Sequence, residues 1–473
     1  MRNIQSTNKT LGLVITDGVG YRNFCLSSFL NEASVEFKKI IIYSGLPASV
    51  FDLQNFQNVK VVELPIFVEP FKTWFWRKFK EVAHLQLHKK LFGINDNLAA
   101  NKSSSSSNRG KTKRFIYKLT RRFHSEKIIK FLEKKQLKSL ANHQVSRACV
   151  KFLQTDPPDL LFFTHQRPPY VVPVVFAANK LKIRTGSFIF SWDNLSSKGR
   201  MAAPFDSFLV WSDLMKQELL YFYPKTSSHA VRVVGTPQFE PYVMAEYETD
   251  KSIFFQKYDL SSNKKIICYS CGDISTSRND ELYIESIATA IAEGSISEPV
   301  TLLVRTSPAE GSERFSFLKE KFPFIRWNYP DWFISRKDHP EPWSQRVPSE
   351  NDLVDLRGIL KFSDLSINMC STMSLDFMLF DKPVINPVFG NEQNSLYNDQ
   401  RFLRYAHYEK VVESGAVAIV KNEEELLREI NFSLENPNAR LKEQKELIKL
   451  QIGKPLDGTS KRIASALKTI SEA

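Results

Sequence analysis

The stretch "SINMCSTMSLDFMLFDKPVINP" (residues 366–387) places two β-type runs on either side of a helical pattern. The first run ends near Met369, so Ser371 and Thr372 fall at the start of the helix. Backbone N–H groups there have no intrahelical partner, and together with the helix dipole they attract phosphate. Asp376 lies four to five residues further on, placed to accept from ribose hydroxyls rather than to touch phosphate. Simple N-capping by Ser and Thr is the competing reading of the same residues.

On both sides of this stretch, strand-like and helix-like segments alternate along most of the chain, which predicts an α/β protein with parallel sheets covered by helices. "LGLVITDG" (11–18), "KKIIIYSG" (38–45) and "VKVVELP" (59–65) read as buried strands entering loops. "DLLFFTH" (159–165), "TGSFIFSWDN" (185–194), "DSFLVWS" (206–212) and "AVRVVGTP" (230–237) extend the first half. The pattern weakens over 238–263, predicting a linker, and restarts with "KKIICYSCGD" (264–273) and "PVTLLVRTSP" (299–308). The expected organisation is two doubly wound domains, 1–237 and 264–455, with a closing helix over 456–473. A chain of 473 residues exceeds one ordinary core, which agrees with two domains. In such sheets ligands bind outside the carboxyl ends of the strands, so loop residues there are the functional candidates.

The net charge of +13 is concentrated in residues 72–147, which carry 20 Lys and Arg against 4 Asp and Glu. This segment reads as a basic insertion in the first domain. It contains "TWFWRKF" (73–79) and the Ser-rich "NKSSSSSNRGKTKR" (101–114), expected to be a flexible loop. One reading is a solvated insertion; the other is a patch for an anionic membrane surface with Trp74, Phe75 and Trp76 at the interface. No helix-turn-helix, RNA-recognition or zinc-finger signature points to nucleic acid. The polar start "MRNIQSTNKT" and the lack of a long apolar run predict a cytoplasmic protein, peripheral at the inner membrane face if the insertion binds lipid. Five cysteines make no disulfide framework. Cys268 and Cys271 have C-x-x-C spacing but no further ligand cluster, so they read as ordinary residues at a strand end.

In order and spacing these segments resemble the two-domain glycosyltransferases of GT-B architecture, whose relatives include UDP-N-acetylglucosamine 2-epimerases and CDP-glycerol-type glycerophosphotransferases. Those proteins carry a "D-S-G-G-x-x-E-E" or "T-D-Y-S-S" turn between a strand and a helix that leads to an "xxPVI" strand. Here "SDLSINMCSTMSLDFMLFDKPVIN" stands in that place. The resemblance puts Ser371 and Thr372 on the donor phosphate and Asp376 on the ribose, although Thr372-Met373 replaces the double glycine and restricts backbone approach. "CGDISTSRND" resembles the first loop of the second domain, bringing Gly272 and Arg278 to the diphosphate, and Arg305 in "LLVRTSP" is a candidate phosphate clamp. The resemblance implies two Rossmann-like domains facing a central cleft and covers most of the chain outside the insertion.

It also implies that chemistry comes from first-domain loops. A transferase needs a base to deprotonate the acceptor hydroxyl. Asp17 in "TDGVGYRN" is the first candidate, on a loop that Gly18 and Gly20 would keep close and open to the acceptor; an acid in a strand-to-helix turn is the alternative. His165 in "THQRPP" is the second, against a structural histidine. Asp193 in "SWDN" is the third, with Trp192 a sugar-stacking ring and an Asx turn the competitor. No "DxD" motif ends a strand, so no metal and no cofactor is expected; Arg278 and Arg305 would stabilise the leaving diphosphate. Trp327, Trp332 and Trp343 could flank the nucleotide base. The function these readings imply is transfer of a sugar from a nucleotide-sugar donor to a surface-polysaccharide or lipid-linked acceptor. The alternatives are CDP-polyol phosphotransfer, UDP-sugar epimerisation, or a GT-B-like partner protein without catalysis.

Overall fold

The computed structural model describes residues 7–391 and 397–473. The first six residues of the polar start therefore lie outside the described residues. The chain divides into two compact units. Unit 1 comprises Met1–Glu240, Ile334–Val347 and Gln451–Ala473; unit 2 comprises Pro241–Phe333 and Pro348–Leu450.

Unit 1 is built on seven strands: β1 (Thr7–Ile15), β2 (Phe37–Ser44), β3 (Val59–Glu63), β4 (Leu160–Phe163), β5 (Arg184–Phe188), β6 (Ser207–Val210) and β7 (Val231–Val233). Their order is β3-β2-β1-β4-β5-β6-β7, every pair parallel. The strands are nearly continuous apolar runs because helices cover both faces and leave no polar side. Strand order reverses between β1 and β4, so the loops after these two strands diverge and open a crevice at their carboxyl ends.

Unit 2 repeats the plan with β8 (Lys265–Ser270), β9 (Val300–Arg305), β10 (Arg326–Asn328), β13 (Leu365–Ile367), β14 (Val384–Pro387) and β15 (Ala418–Val420). The order is β10-β9-β8-β13-β14-β15, again with reversal beside the first strand. A separate two-stranded ladder joins β11 (Trp332–Ile334) and β12 (Arg346–Pro348). The quoted stretch is thus β13, a helix over Met373–Met378, and β14. The predicted linker is more structured than its weak periodicity suggests: it holds 3₁₀ turns and a helix over Lys251–Lys257, anchored by buried Phe254.

In unit 1, two short helices, α1 (Gly18–Cys25) and α2 (Phe29–Glu36), follow β1. The basic insertion after β3 is helical: α3 (Phe71–Leu87), α4 (Phe92–Ala100), α5 (Asn108–Thr120), α6 (Glu126–Lys138) and α7 (Gln144–Thr155). The expected flexible loop is shorter than the sequence predicts, because Ser107 caps α5 through Gly110 N–H and the helix takes in residues 108–114. Trp74 is buried, and Trp76 and Phe79 pack on Ala83, Ile129 and Leu132, so this aromatic run is the core of the insertion rather than a set of membrane anchors. Lys80 fixes α3 to the main body by donating to the Met201 and Ala202 carbonyls at 2.8 and 2.7 Å. Burial pushes its ammonium down to about 8. No helix among the described residues is long and apolar enough to cross a membrane.

Candidate functional site

Asp17 and His165 meet at the reversal point of unit 1. β1 pairs with β4 in parallel, Val14 opposite Phe163, so the residues just past each strand emerge side by side. His165 Nδ1 lies 2.9 Å from Asp17 Oδ2. The same oxygen accepts from Thr16 Oγ1 at 3.0 Å, and Asp17 Oδ1 caps α1 by accepting from Gly20 N–H at 2.8 Å. Burial alone would raise the Asp17 carboxyl, but His165 and these donors hold it below the ordinary value. The imidazole is stacked on Phe190, ring centres 3.8 Å apart and 11° from parallel. With Nδ1 turned to the carboxylate, Nε2 is the nitrogen left for other work.

Asp17 itself is 0% exposed, so the first sequence candidate for a base cannot reach an acceptor, and its carboxylate faces the histidine instead. The glycine loop is not open either. A Cβ on Gly18 would sit 1.6 Å from the Arg346 carbonyl oxygen, and one on Gly20 2.7 Å from Thr164 Oγ1. Both glycines serve close packing and not acceptor approach. Trp192 is buried and offers no sugar platform. Asp193 starts a short helix over Asn194–Ser197, accepts from Asn194 Nδ2 at 2.9 Å and lies 3.3 Å from Lys198 Nζ.

His165 opens onto a cavity of ≈ 500 Å³. Its walls include Arg77, Lys78 and Glu81 from α3, Asn97 from α4 and Tyr117 from α5. Arg167, Lys198, Arg200, Glu341 and Trp343 complete the polar and aromatic lining. The insertion therefore builds one wall, and Asn97 ties it to the far side by donating to the Ser197 carbonyl at 2.8 Å. Most cations here are already paired. Arg77 donates to Glu69 at 2.8 and 2.6 Å and to Glu81 at 2.7 Å. Lys78 reaches Glu81 at 2.6 Å, and Arg200 reaches Glu126 at 2.8 and 3.2 Å. Glu341 is the other acid in the lining, and burial pushes its carboxyl up. Trp343, read from sequence as a flank for the base, is 51% exposed and belongs to unit 1. A second cavity of unit 1, ≈ 470 Å³, lies at Arg184 and Ser207, where β5 and β6 begin, the end of the sheet at which such folds do not bind ligands.

In unit 2 the reversal falls between β8 and β13. The loop after β8 carries Gly272, whose N–H donates to Asp280 at 3.0 Å, and Arg278, which is exposed. A Cβ on Gly272 would lie 2.7 Å from Ser277 Cβ, so the tight turn requires glycine there. After β13, Asn368 Oδ1 accepts from Ser371 N–H and Ser374 Oγ, both at 3.0 Å. Cys370 takes a left-handed conformation at φ 47°, which turns the chain into the helix. Ser371 Oγ accepts from Met373 N–H at 3.2 Å, and Thr372 is the N-cap residue.

Two sequence candidates point inward. Arg305 spans Asp352 at 2.9 and 3.0 Å and also donates to Asn328. Its fork is engaged in an internal ion pair and cannot clamp phosphate. Asp376 is 3% exposed and accepts from the Tyr242 hydroxyl, which removes it from any ribose. Trp332 Nε1 likewise donates to Asp352 at 2.8 Å, and Trp327 packs parallel to Tyr329. Cys268 and Cys271 are free, their thiols pushed up by burial. Among the described residues no group of three or more His, Cys, Asp or Glu could hold a metal ion.

Two parallel sheets, each with its reversal beside the first strand, recur across solved structures of one architecture. The fold is GT-B. A UDP-bound structure of MnaA from S. aureus superposes with a TM-score of 0.53 at 12% identity, covering 98% of this chain and 97% of that one. A glycosyltransferase from Rickettsia africae gives 0.52 at 12% identity, with 98% and 99% covered. A Listeria monocytogenes protein named as a putative UDP-N-acetylglucosamine 2-epimerase gives 0.54 at 9% identity, with 98% and 97% covered. No protein-family model matches the sequence, and no curated protein matches it. Helices α3, α4 and α5 of the basic segment form one wall of the unit 1 cavity.

Proposed function

We propose that the protein is a glycosyltransferase that moves a sugar from a nucleotide-sugar donor to an acceptor hydroxyl held in the cavity of unit 1. The observation that carries this reading is the Asp17–His165 pair beside that cavity. His165 Nε2 takes the acceptor proton, and Asp17 fixes the tautomer and stabilises the imidazolium that results. Unit 2 receives the nucleotide at the loops after β8 and β13, where Gly272, Arg278, Ser371 and Thr372 stand; Arg305 and Asp376 keep their places inside the unit. UDP is the first nucleotide to test, because the similar MnaA structure holds it. Transfer is favoured over epimerisation by the cavity itself: isomerising a nucleotide sugar needs no acceptor wall, and here an inserted helical segment supplies one. The reading invokes no metal.

The acceptor belongs to the cell surface in this proposal, either a growing polysaccharide or a lipid-linked glycan, and the enzyme works at an anionic membrane face. Two successive helices support that placement. Lys111, Phe115, Lys118 and Arg122 on and just after α5, and Lys127, Phe131, Lys134 and Lys138 on α6, are exposed at identical spacing. Each set forms one helical stripe of a phenylalanine among cations, the composition of a surface that sits on anionic lipid. Thermal shift with UDP, GDP, CDP and CMP, followed by donor turnover with and without acceptor, tests the whole reading. Stabilisation by UDP or GDP with acceptor-dependent release of that nucleotide is the expected result. A response to CDP alone favours polyol-phosphate transfer, acceptor-independent isomerisation favours an epimerase, and no response at all favours a protein without catalysis.

A further inference from the structure

Of the five Lys and Arg side chains that line the unit 1 cavity, four have a carboxylate within 4 Å and one does not. Arg167 makes no hydrogen bond or ion pair with any described residue, although its neighbours are tightly fixed. Gln166 donates to Asn194 at 2.9 Å, accepts from Phe190 N–H at 3.2 Å, and its carbonyl accepts from Ala202 N–H at 3.0 Å. Pro168 and Pro169 follow and restrict the chain on the other side. The chain is therefore held on both sides of a partly buried guanidinium that has been given no anion. Burial pushes its pKa below the ordinary value, and the more distant Asp193 and Glu81 only partly offset this. An uncompensated cation in such a place costs stability in the empty protein, and an arriving anion removes that cost.

We propose that Arg167 is the anchor for a phosphate group carried by the acceptor, so that the cavity selects a phosphorylated sugar or a phosphate-linked glycan over a neutral one. This rests on the transferase reading for what happens next, but the anion site itself does not. Arg167 stands two residues after His165 on the same loop, so a phosphate held by its planar fork leaves the attached sugar beside the histidine. A cavity of ≈ 500 Å³ is of the size that holds one small ligand of this kind. Lys198 lies on the same lining, held by Asp193 at 3.3 Å, and adds positive potential. The acids present do not occupy the fork: Glu81 is engaged by Arg77 and Lys78, and among the described residues no ion pair joins Glu341 to Arg167.

The test is direct binding to the full chain of inorganic phosphate and of glucose 6-phosphate, with glucose as the neutral control and UDP measured in parallel. Wild-type protein should bind both phosphates and bind glucose far more weakly. Arg167→Gln should weaken the phosphates at least about tenfold, leave UDP affinity unchanged and melt no lower than the wild type, while Arg167→Lys, a point charge without the fork, should fall between the two in phosphate affinity. His165→Ala should keep phosphate binding and lose turnover. Phosphate binding that is absent in the wild type, or equal in Arg167→Gln, overturns the proposal. Parallel loss of UDP in Arg167→Gln also overturns it, because the anion would then be the donor's. If phosphate binds through Arg167 but no nucleotide sugar is ever consumed, the transferase reading has failed and the anion site stands.

Discussion

Replacing Asp17 with asparagine is the sharpest probe of the paired site, because it changes one charge and almost no volume. The amide oxygen of the variant can still cap α1 by accepting from Gly20 N–H, so the helix keeps its start. What changes is the contact at 2.9 Å to His165 Nδ1. An amide N–H turned toward that nitrogen requires it to accept, which places the ring proton on Nε2 and makes Nε2 a donor instead of a base. The lost interaction is a charge-assisted hydrogen bond, about 1.5–3 kcal/mol, or roughly 10- to 150-fold in turnover if all of it is expressed in the transition state. His165→Ala removes the proposed base and should cost about 10²- to 10⁴-fold. Because the two residues act as one device, Asp17→Asn should cost little more in the His165→Ala background. The assay is the initial rate of nucleotide release with acceptor, resolved into kcat and KM across pH, with melting temperatures to confirm folding. Loss should appear in kcat and not in KM. Full turnover in a folded Asp17→Asn protein, or losses that multiply in the double variant, would refute the argument.

Gly18→Ala forces a methyl into the Arg346 carbonyl, 1.6 Å away, and should destabilise by about 1–3 kcal/mol in urea titration, whereas Gly199→Ala, with nothing nearer than 3.7 Å, should not; equal midpoints would show that the Arg346 contact is slack. In unit 2, burial pushes the Asp280 carboxyl up to about 7 despite the Ser277 and Tyr269 hydroxyls and Arg314. The folded state thus holds a proton that the unfolded chain releases at about pH 4, so this group favours folding below about pH 4 and loses that contribution as pH rises toward about 7. The stability of the wild type relative to Asp280→Asn should therefore decline across that window, by at most about 1.4 kcal/mol per pH unit, and a constant difference would contradict the assignment. The full chain should sediment with anionic vesicles at low salt and be released at high salt, and Phe115→Ser with Phe131→Ser should weaken this without altering thermal stability, both rings being more than half exposed; unchanged vesicle binding would remove the stripes from the interface.

Which features are legible in the sequence follows from how local their causes are. The strands are buried on both faces, so each appears as a run of apolar residues stopped by a small or polar one, and alternation with helices then implies the parallel order. Asp17 and His165 are each visible at a strand end, but their partnership is not. They lie 148 residues apart, and only the register of β1 against β4 brings them together. Arg305 and Asp376 mislead for the same reason in reverse. Both sit where a ligand contact belongs, yet Asp352 and Tyr242 claim them from distant segments. "THQRPP" does carry a sign of Arg167, since two prolines hold a cation beside the candidate histidine; the missing signal is that nothing else pairs with it. The insertion is the largest departure. Its composition imitates a solvated loop, whereas its order comes from tertiary contacts such as Lys80 on two carbonyls, Arg77 between two carboxylates, and Arg109 over the Trp74 ring at 5.4 Å.

The charge of that insertion is divided by face, and the division separates two proposed roles that composition merges. Cations turned inward stand in low dielectric, where an unpaired charge is costly, and they are matched: Arg77 and Lys78 with Glu69 and Glu81, and Arg200 from across the cavity with Glu126 on α6. Cations turned outward on α5 and α6 face water, where leaving them unmatched costs little, and there the excess accumulates. The excess of 20 basic over 4 acidic residues in 72–147 is thus a property of the outer face and says nothing about the cavity. Inside, the unmatched charge is Arg167, which lies outside the insertion on the loop that follows β4. A surface of many weakly held cations and a cavity with one uncompensated guanidinium recognise anions differently. The first depends on salt and on the density of charge it meets, and the second on the geometry of a single group. The proposed attraction to a membrane and the proposed selection of an acceptor phosphate therefore involve separate residues of the same unit, and each should be removable without the other.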